Sequence, residues 1–342
     1  MKKALLIVVF LFTLIGLAVA AGGYFIYQQF LTTPNQNTQA YVLDIKPGMS
    51  FNKITQTLVD EGVVSNVHLF KVYARLEGIA TRVKAGEAAF EPGMTPTDVA
   101  ALLISNQRVE YSVTIVEGMT FKELLAKLKA VTNINHTLTP EAQQSLLSEL
   151  KVSQSHPEGL FLAETYRYRK GENDVDILRR ANRLLANYLD EQWQGRQKGL
   201  PYKSAYEALI MASIIEKETG RPDERPEIAG VFVRRLEKKM RLQTDPTVIY
   251  GMGDSYKGNI RRKDLRTATP YNTYVIPALP PTPIAMVGRE AINAAFNPKD
   301  GKALYFVAKG DGSHYFSATL AEHNKAVREY QLKRSKNYRS SP

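Results

Sequence analysis

The longest run of apolar residues in the chain lies at its N-terminus. It extends from Ala4 to Gly23, only Thr13 interrupts it, and an aromatic cluster at residues 24–27 follows. About 20 consecutive apolar residues are enough to cross a bilayer as a helix, and aromatic residues favour the membrane–water interface. The pattern therefore predicts one transmembrane helix over residues 4–27.

The residues around this run predict its orientation. Lys2 and Lys3, in a tip of residues 1–3, are the only charged residues before residue 31. Positive charge ahead of a span indicates a cytoplasmic N-terminus, so the chain beyond about residue 28 lies outside. Ala18-Val19-Ala20 also fits the cleavage site of a signal peptide. The run is longer than the usual signal-peptide core of roughly 7 to 15 residues, so we expect an uncleaved anchor.

A short pattern occurs twice after the anchor. The stretch from Tyr41 to Leu58 aligns without gaps to the stretch from Tyr111 to Leu128, with Tyr, Ile, Gly, Met, Phe and Leu in register. Each copy predicts a strand, a glycine turn and a helix that begins at a Ser or Thr cap. The match indicates either a duplication or two similar strand–turn–helix units. The polar segment before the first copy predicts a flexible tether over residues 28–40.

The pattern becomes mainly helical beyond Pro140. Helical spacing and capping pairs predict helices at 174–193, after Ser204, at 225–239 and after Thr319, and two strands at 304–308 and 314–318 flank a Lys-Gly-Asp-Gly turn. The predicted fold class is α+β with an antiparallel sheet. With 342 residues, of which 44% are hydrophobic, we expect two or three folded units.

Composition excludes several kinds of chemistry. The chain has no cysteine, which rules out disulfides, thiol nucleophiles and cysteine-bound metals. Its five histidines show no metal-ligand spacing, so we predict no metal and no cofactor. Beyond the N-terminal lysines there are 43 basic and 34 acidic residues, a net charge of +9. That excess suits a polyanionic partner such as cell-wall polymer or a lipid surface.

Nucleic acid is a poor fit as the partner. The predicted export of the chain argues against it, and the sequence has no zinc-finger or RNP-like motif. The basic run from Arg234 to Arg241 is interpreted as a solvated helix face.

The most informative segment for function is LIMASIIEKETG, from Leu209 to Gly220. At about 100° per residue, Glu218 projects onto the stripe of Met211, Ile214 and Ile215, while Glu216 points in nearly the opposite direction. A carboxyl group beside apolar side chains is desolvated and retains its proton longer, as a general acid requires. We therefore predict that Glu218 faces the interior and that Glu216 faces away from it.

This segment and three others carry a family resemblance. The others are MRLQTDPTVIYGMG from Met240, YNTYVIPALPPTPIA from Tyr271 and LYFVAKGDGSHYFSATLAEHNK from Leu304. Together they resemble the endolytic murein transglycosylases, the MltG or YceG-like family. The resemblance covers the membrane segment and most of the chain from residue 41 to about 330, and is most specific between residues 200 and 324.

The resemblance implies the roles of several residues. Glu218 matches the catalytic acid, and Gln243, Asp245, Asn272 and Tyr274 match motifs expected around the substrate groove. Tyr271 lies in the same proline-rich segment, which is rigid enough to present ring faces to a sugar, so we add it as a substrate-binding candidate. One departure is Ala163-Glu164, where the family usually has Pro-Asp, which puts a positioning role of that loop in doubt.

The implied reaction is cleavage of the bond between N-acetylmuramic acid and N-acetylglucosamine within nascent strands, leaving 1,6-anhydro ends. The implied location is the inner membrane as a single-pass protein, with a YceG-like catalytic domain at 111–342 in the periplasm. Residues 41–110 look like a small LysM-like module of βααβ type that binds glycan. Peptidoglycan strands are the implied partner, with peptidoglycan synthases of the elongation or division machinery as further candidates.

Three other functions fit parts of the sequence. A hydrolytic muramidase could use Glu218 together with Asp245, as glycosidases commonly use two carboxylates. A tethered, non-enzymatic glycan-binding scaffold would need only the first module. A penicillin-binding serine enzyme is suggested by Ser50-Phe51-Asn52-Lys53, but no Lys-Thr-Gly follows and the only late Ser-x-Asn is at 335–337, so Ser50 is interpreted as a helix cap.

Overall fold

The computed structural model describes residues 2–332 of the chain. Met1, at the expected cytoplasmic tip, and the Ser-x-Asn of the basic tail at 335–337 lie outside the described residues. The chain divides into two compact units, Met1–Tyr111 and Ser112–Pro342. Each has its own buried core.

The first unit contains a long helix followed by a small α/β arrangement. Its elements are α1 Lys2–Thr32, β1 Tyr41–Ile45, α2 Phe51–Asp60, α3 Val67–Leu76, β2 Gly86–Phe90 and α4 Pro96–Ile104. Strands β1 and β2 pair antiparallel, with Tyr41 opposite Phe90. This order agrees with the predicted βααβ arrangement, whereas the identity of the unit as a LysM-like module stays a prediction.

Helix α1 is the candidate membrane span. Among residues 2–332, its part from Leu5 to Thr32 is the one segment long and apolar enough to cross a membrane, and its apolar stretch is fully exposed. The expected flexible tether over residues 28–40 differs from what is observed. The helix continues to Thr32, Phe30 is buried in the core of the first unit, and the Asn35 N–H donates to the carbonyl of Met94 at 2.9 Å. Because Phe30 is buried in this core, the end of α1 is attached to the folded unit and is not a free tether.

The second unit is mostly helical with short strands. Its elements are β3 Tyr111–Thr114, which begins at the last residue of the first unit, α5 Phe121–Ala130, α6 Pro140–Glu149, β4 Thr165–Tyr168, α7 Asp174–Gly195, α8 Ala205–Glu218, α9 Arg225–Glu237, α10 Asp245–Met252, α11 Arg289–Phe296, β5 Tyr305–Ala308, β6 His314–Ser317 and α12 Leu320–Val327. Strand β3 pairs with β4, and β5 and β6 form an antiparallel hairpin. The predicted α+β class is confirmed.

Helix α8 lies at the centre of the second unit and packs against α7, α9, α10 and α11. Every residue from Ala208 to Glu216 is buried. A helix that is apolar on all sides belongs to a core rather than to a surface. The predicted stripe of Met211, Ile214 and Ile215 is buried as expected, but the opposite side of α8 is buried as well.

The helix caps largely follow the sequence prediction. Thr120 with Glu123 and Thr319 with Glu322 form complete capping boxes. The Ser50 hydroxyl accepts from the Lys53 N–H at the start of α2, which confirms it as a cap. The pair at Ser204 is incomplete, since the Glu207 carboxylate accepts from the N–H of Lys203 instead.

Candidate active site

Glu218 is the last residue of α8, and it opens onto a cleft of about 560 Å³ in the second unit. The walls of this cleft come from the end of α8, the loop before α10, the hairpin β5–β6 and helix α12. The helix ends here because Thr219 takes an extended backbone. The partly buried carboxyl group is thus carried by a rigid core helix and reaches the cleft at its tip.

The surroundings of Glu218 favour its protonated form. Burial raises the pKa of this carboxyl to about 7, and the negative charge of Asp245 acts in the same direction. The Thr244 hydroxyl donates a hydrogen bond to the carboxylate, and Arg235 is close enough to attract it; both lower the pKa. Burial dominates. A carboxyl that titrates near neutrality can both donate and accept a proton at ordinary pH.

The loop before α10 holds Thr244 in place. Its N–H donates to the Thr273 hydroxyl at 3.0 Å, and that buried hydroxyl lies 2.8 Å from the hydroxyl of Thr247. Gln243, the residue before Thr244, has a φ of 53°. This value lies in the left-handed region, which is energetically unfavourable for residues other than glycine. Such strain persists only where neighbouring contacts enforce it, and here the Gln243 N–H donates to the Thr273 carbonyl.

Asp245 and Tyr274 form a hydrogen-bonded pair in the cleft. The Tyr274 hydroxyl donates to Oδ1 of Asp245 at 2.7 Å. Burial raises the pKa of Tyr274, and the hydrogen bond with Asp245 raises it further, so the phenol stays protonated and remains a donor. Asp245 is also the first residue of α10, followed by Pro246. The structure thus brings three of the predicted residues, Gln243, Asp245 and Tyr274, into the cleft of Glu218.

The other two predicted substrate-binding residues lie outside the cleft lining. Asn272 is buried, and its amide donates to the backbone carbonyls of Asp264 and Thr267 at 3.0 and 2.7 Å. The Tyr271 hydroxyl lies 2.9 Å from that of Thr282. Both side chains hold the proline-rich segment in shape, and their contacts with sugar stay a prediction.

Arg235 lines the cleft, although it was not predicted as a site residue from the sequence. It belongs to the run interpreted as a solvated helix face, yet it is 7% exposed. Its guanidinium donates to the carbonyls of Leu304 and Leu242 at 2.7 and 2.6 Å and lies 5.2 Å from the ring of Tyr305. Its position three residues after the buried Phe232 is the one signal that could have identified an inward-facing arginine.

Two histidines of the C-terminal part also line the cleft. His323, on α12, stacks on Tyr305 with ring centroids 5.2 Å apart, and burial lowers its pKa. His314, the first residue of β6, contacts Glu224. Both histidines lie within the segment from Leu304 that carried the resemblance. Their place in the cleft depends on the packing of the hairpin β5–β6 against α9, which the sequence alone does not reveal.

The position of Glu216 differs from the prediction. It was expected to face away from the interior, but it is 8% exposed. Its carboxylate accepts from Arg225 at 2.7 Å and from the Gly288 N–H at 2.9 Å. Burial raises its pKa, while Gly288 and Arg225 act in the opposite direction. Glu216 therefore joins α8 to α9 and to the start of α11, and it is a structural residue.

The loop that departs from the family pattern lies outside the cleft lining. The Glu164 carboxylate is 3.7 Å from Arg289, and both side chains are about half exposed. The described residues 2–332 contain no group of three or more His, Asp or Glu arranged to hold a metal ion.

Comparison with known proteins identifies the family. The YceG-like family matches residues 43–329, so the chain belongs to it. A Bacillus subtilis protein named endolytic murein transglycosylase is 32% identical over 329 residues, which cover 90% of each chain. A protein of the same name from Streptococcus pneumoniae D39 is 28% identical; the match covers 91% of this chain and 63% of that protein. The crystal structure of a yceG-like protein from Listeria monocytogenes, 30% identical, covers 84% of this chain and 99% of that one with a TM-score of 0.51.

Proposed function

We propose that this member of the YceG-like family is an endolytic lytic transglycosylase of peptidoglycan. It cleaves the bond between N-acetylmuramic acid and N-acetylglucosamine within nascent strands, leaves 1,6-anhydro-N-acetylmuramic ends and so terminates strand elongation. The names of the relatives support the reaction class. The observation that carries the proposal is Glu218, a carboxyl group with a pKa of about 7 at the rigid end of a core helix, inside a cleft.

Glu218 performs both proton transfers. In its protonated form it donates to the glycosidic oxygen as the bond from that oxygen to C1 of the muramic residue breaks. The resulting carboxylate takes the proton from the C6 hydroxyl as O6 bonds to C1. The proton lost in the first step is regained in the second, so one carboxyl group suffices and no water is consumed. Thr244 steadies the carboxylate between the steps through its hydrogen bond.

A hydrolytic muramidase is the closest alternative, and Asp245 is the observation that favours it. This second carboxylate lies in the same cleft and near enough to raise the pKa of Glu218. In that reaction Asp245 would serve as the partner that glycosidases commonly use. Asp245 accepts a hydrogen bond from Tyr274 at 2.7 Å, which holds its carboxylate in place. This supports instead a role for Asp245 as a fixed acceptor of hydrogen bonds from substrate hydroxyls. A non-enzymatic scaffold would not need a carboxyl group that is both desolvated and open to a cleft, the combination that distinguishes Glu218 from the buried Glu216.

The remainder of the chain positions this chemistry at the wall. We propose that α1 anchors the protein in the inner membrane with residues 1–3 in the cytoplasm and the second unit in the periplasm. Residues 41–110 of the first unit are proposed as a LysM-like module that binds glycan strands. Peptidoglycan synthases of the elongation or division machinery, which make the nascent strand, are the proposed protein partners.

Product mass separates the three functions. Purified full-length protein is incubated with isolated peptidoglycan, and the released muropeptides are analysed by mass spectrometry. A transglycosylase leaves ends that are lighter by one water than the hydrolysed equivalents, and these ends resist borohydride reduction. A muramidase leaves only reducible muramic ends, and a scaffold releases nothing. Either of the latter two outcomes contradicts the proposal.

A further inference from the structure

Glu224 and His314 form a buried pair at the wall of the cleft, and the mechanism above uses neither. Glu224 precedes α9 and His314 begins β6. Their side chains are 11% and 7% exposed. One carboxylate oxygen accepts from the backbone N–H of His314 at 2.9 Å, and the other lies 2.7 Å from Nδ1 of its ring. Because both oxygens contact the same residue, the ring cannot rotate freely.

This contact assigns the proton on the imidazole. A carboxylate only accepts hydrogen bonds, so Nδ1 must carry a hydrogen to approach it at 2.7 Å. The Nε of Arg221 lies 3.9 Å from the other carboxylate oxygen of Glu224. In the neutral ring, Nε2 is then the atom with the free lone pair. The phenyl ring of Phe306, 5.4 Å from the imidazole in an edge-to-face arrangement, packs against it and limits its movement.

The remaining nitrogen is available to a ligand. His314 is one of the residues that line the cleft. Within residues 2–332, the ring of His314 makes its hydrogen bond through Nδ1, and Nε2 is not among the unpartnered polar atoms sealed from solvent. A fixed acceptor at the wall of a cleft selects a ligand group that carries an O–H or N–H. Polar groups whose orientation is held in this way give a site its specificity.

We propose that His314 contacts the substrate, and that Glu224 is its positioning residue. Nε2 accepts a hydrogen bond from a hydroxyl or acetamido N–H of a sugar bound in the cleft. The inference rests on the proposed function for the identity of the ligand, a glycan strand, whose sugars carry both groups. It adds to that function a residue for binding and leaves the proton transfers to Glu218.

Two substitutions at His314 separate binding from folding. In His314→Asn, the amide can still contact Glu224 but no atom reaches the position of Nε2. We expect KM on uncross-linked glycan strands to rise about 10-fold with kcat nearly unchanged, as for loss of one hydrogen bond. In His314→Gln, an amide oxygen can reach the position of Nε2 without the contact to Glu224, and part of the affinity should return. A folded His314→Asn protein with the KM of the wild type overturns the proposal.

Glu224→Gln tests the positioning role through a spectroscopic signal. The glutamine amide can donate to Nδ1, which moves the ring hydrogen to Nε2 and removes the acceptor. With ¹⁵N-labelled histidine in the full-length protein, NMR should show this change of tautomer for His314, assigned by comparison with His314→Asn, and KM should rise by a similar factor. Glu227→Gln is the control: Glu227 lies on α9, is partly exposed and pairs with Lys299, and its substitution should change neither the tautomer nor KM. A changed tautomer with an unchanged KM contradicts the inference.

The two proposals fail in different ways. If the wild type leaves only reducible ends, the lyase mechanism is wrong, and the KM of His314→Asn still reports whether His314 contacts the glycan. If the wild type forms anhydro ends and His314→Asn is unaffected, only the present inference is wrong. If His314→Asn is unstable, Glu224→Gln decides: a folded Glu224→Gln protein with the changed tautomer and the KM of the wild type shows that the pair is purely structural.

Discussion

Glu216 and Glu218 are two positions apart in the last turn of α8, and their carboxylates serve opposite sides of that helix. Glu216 is held by Arg225 at 2.7 Å, whereas Glu218 accepts from the Thr244 hydroxyl in the cleft. The two residues differ by about 200° around the helix axis. Glu216 therefore joins core helices, whereas Glu218 lines the cleft. Substitution of each residue should have a different effect.

Glu218→Gln should abolish cleavage while fold and glycan binding remain. Glutamine is nearly isosteric but cannot give or take the proton, and loss of general acid–base catalysis costs at least about 100-fold to 10,000-fold. The thermal midpoint should stay the same or rise, because a desolvated carboxyl has been removed. The rate of release of anhydro-muropeptides measures the effect. Turnover near that of the wild type contradicts the assignment of Glu218.

Glu216→Gln should lower stability. Arg225 keeps its contacts with Glu290 and Glu117, so the substitution removes the buried, charge-assisted hydrogen bond alone, at a cost of about 2 kcal/mol in the free energy of unfolding. Glu290→Gln is the matched control: it removes a 60% exposed partner of the same Arg225 and should cost less than about 1 kcal/mol. Urea unfolding of both variants gives the comparison. Equal stability of the two variants indicates that the buried pair contributes nothing specific.

Activity should fall as pH rises through about 7, because the first step needs protonated Glu218. Asp245 raises the pKa of Glu218, so Asp245→Asn should move the midpoint of this decline to lower pH. The measurement is kcat/KM between about pH 5 and 9. Asp254→Asn, at an exposed partner of Lys122 outside the cleft lining, should leave the midpoint in place. A midpoint that stays fixed or rises in Asp245→Asn contradicts this electrostatic coupling.

Residues 41–110 should bind or orient glycan strands without carrying chemistry. A chain that lacks this module should keep part of its cleavage activity and bind isolated sacculi more weakly, since the second unit has a core of its own. Circular dichroism establishes that the shortened chain is folded. Complete loss of turnover in the folded chain, with sacculus binding unchanged, contradicts this division of roles.

The full-length protein should remain membrane-bound through α1, with its C-terminus outside the cytoplasm. An apolar helix of this length should resist carbonate extraction. Protease added to spheroplasts should degrade a C-terminal tag, because the basic residues precede the span. Recovery of a soluble mature form that begins near Ala21 identifies the helix as a cleaved signal peptide instead.

Local patterns predicted local features of this protein well. The span, the caps at Ser50 and Thr120, the hairpin β5–β6 and the α+β class depend on interactions among near neighbours in sequence, which residue type and spacing report directly. The position of Glu218 at the end of α8 belongs to the same group. The prediction for Glu216 was wrong because one helical stripe was assumed, and only the packing of four other helices around α8 reveals that both sides are buried.

By itself, the sequence determined the N-terminal apolar helix, several of the other secondary-structure elements, the family through its motifs, and the position of Glu218 at the end of α8. The tertiary structure decided which distant residues meet that acid. It brings Thr244, Asp245 and Tyr274 to the cleft, leaves Tyr271 and Asn272 out of its lining and buries Arg235 and the pair of Glu224 and His314. The physical reason is that desolvation and long-range hydrogen bonds depend on how helices and loops pack, and no spacing along the chain encodes that packing locally.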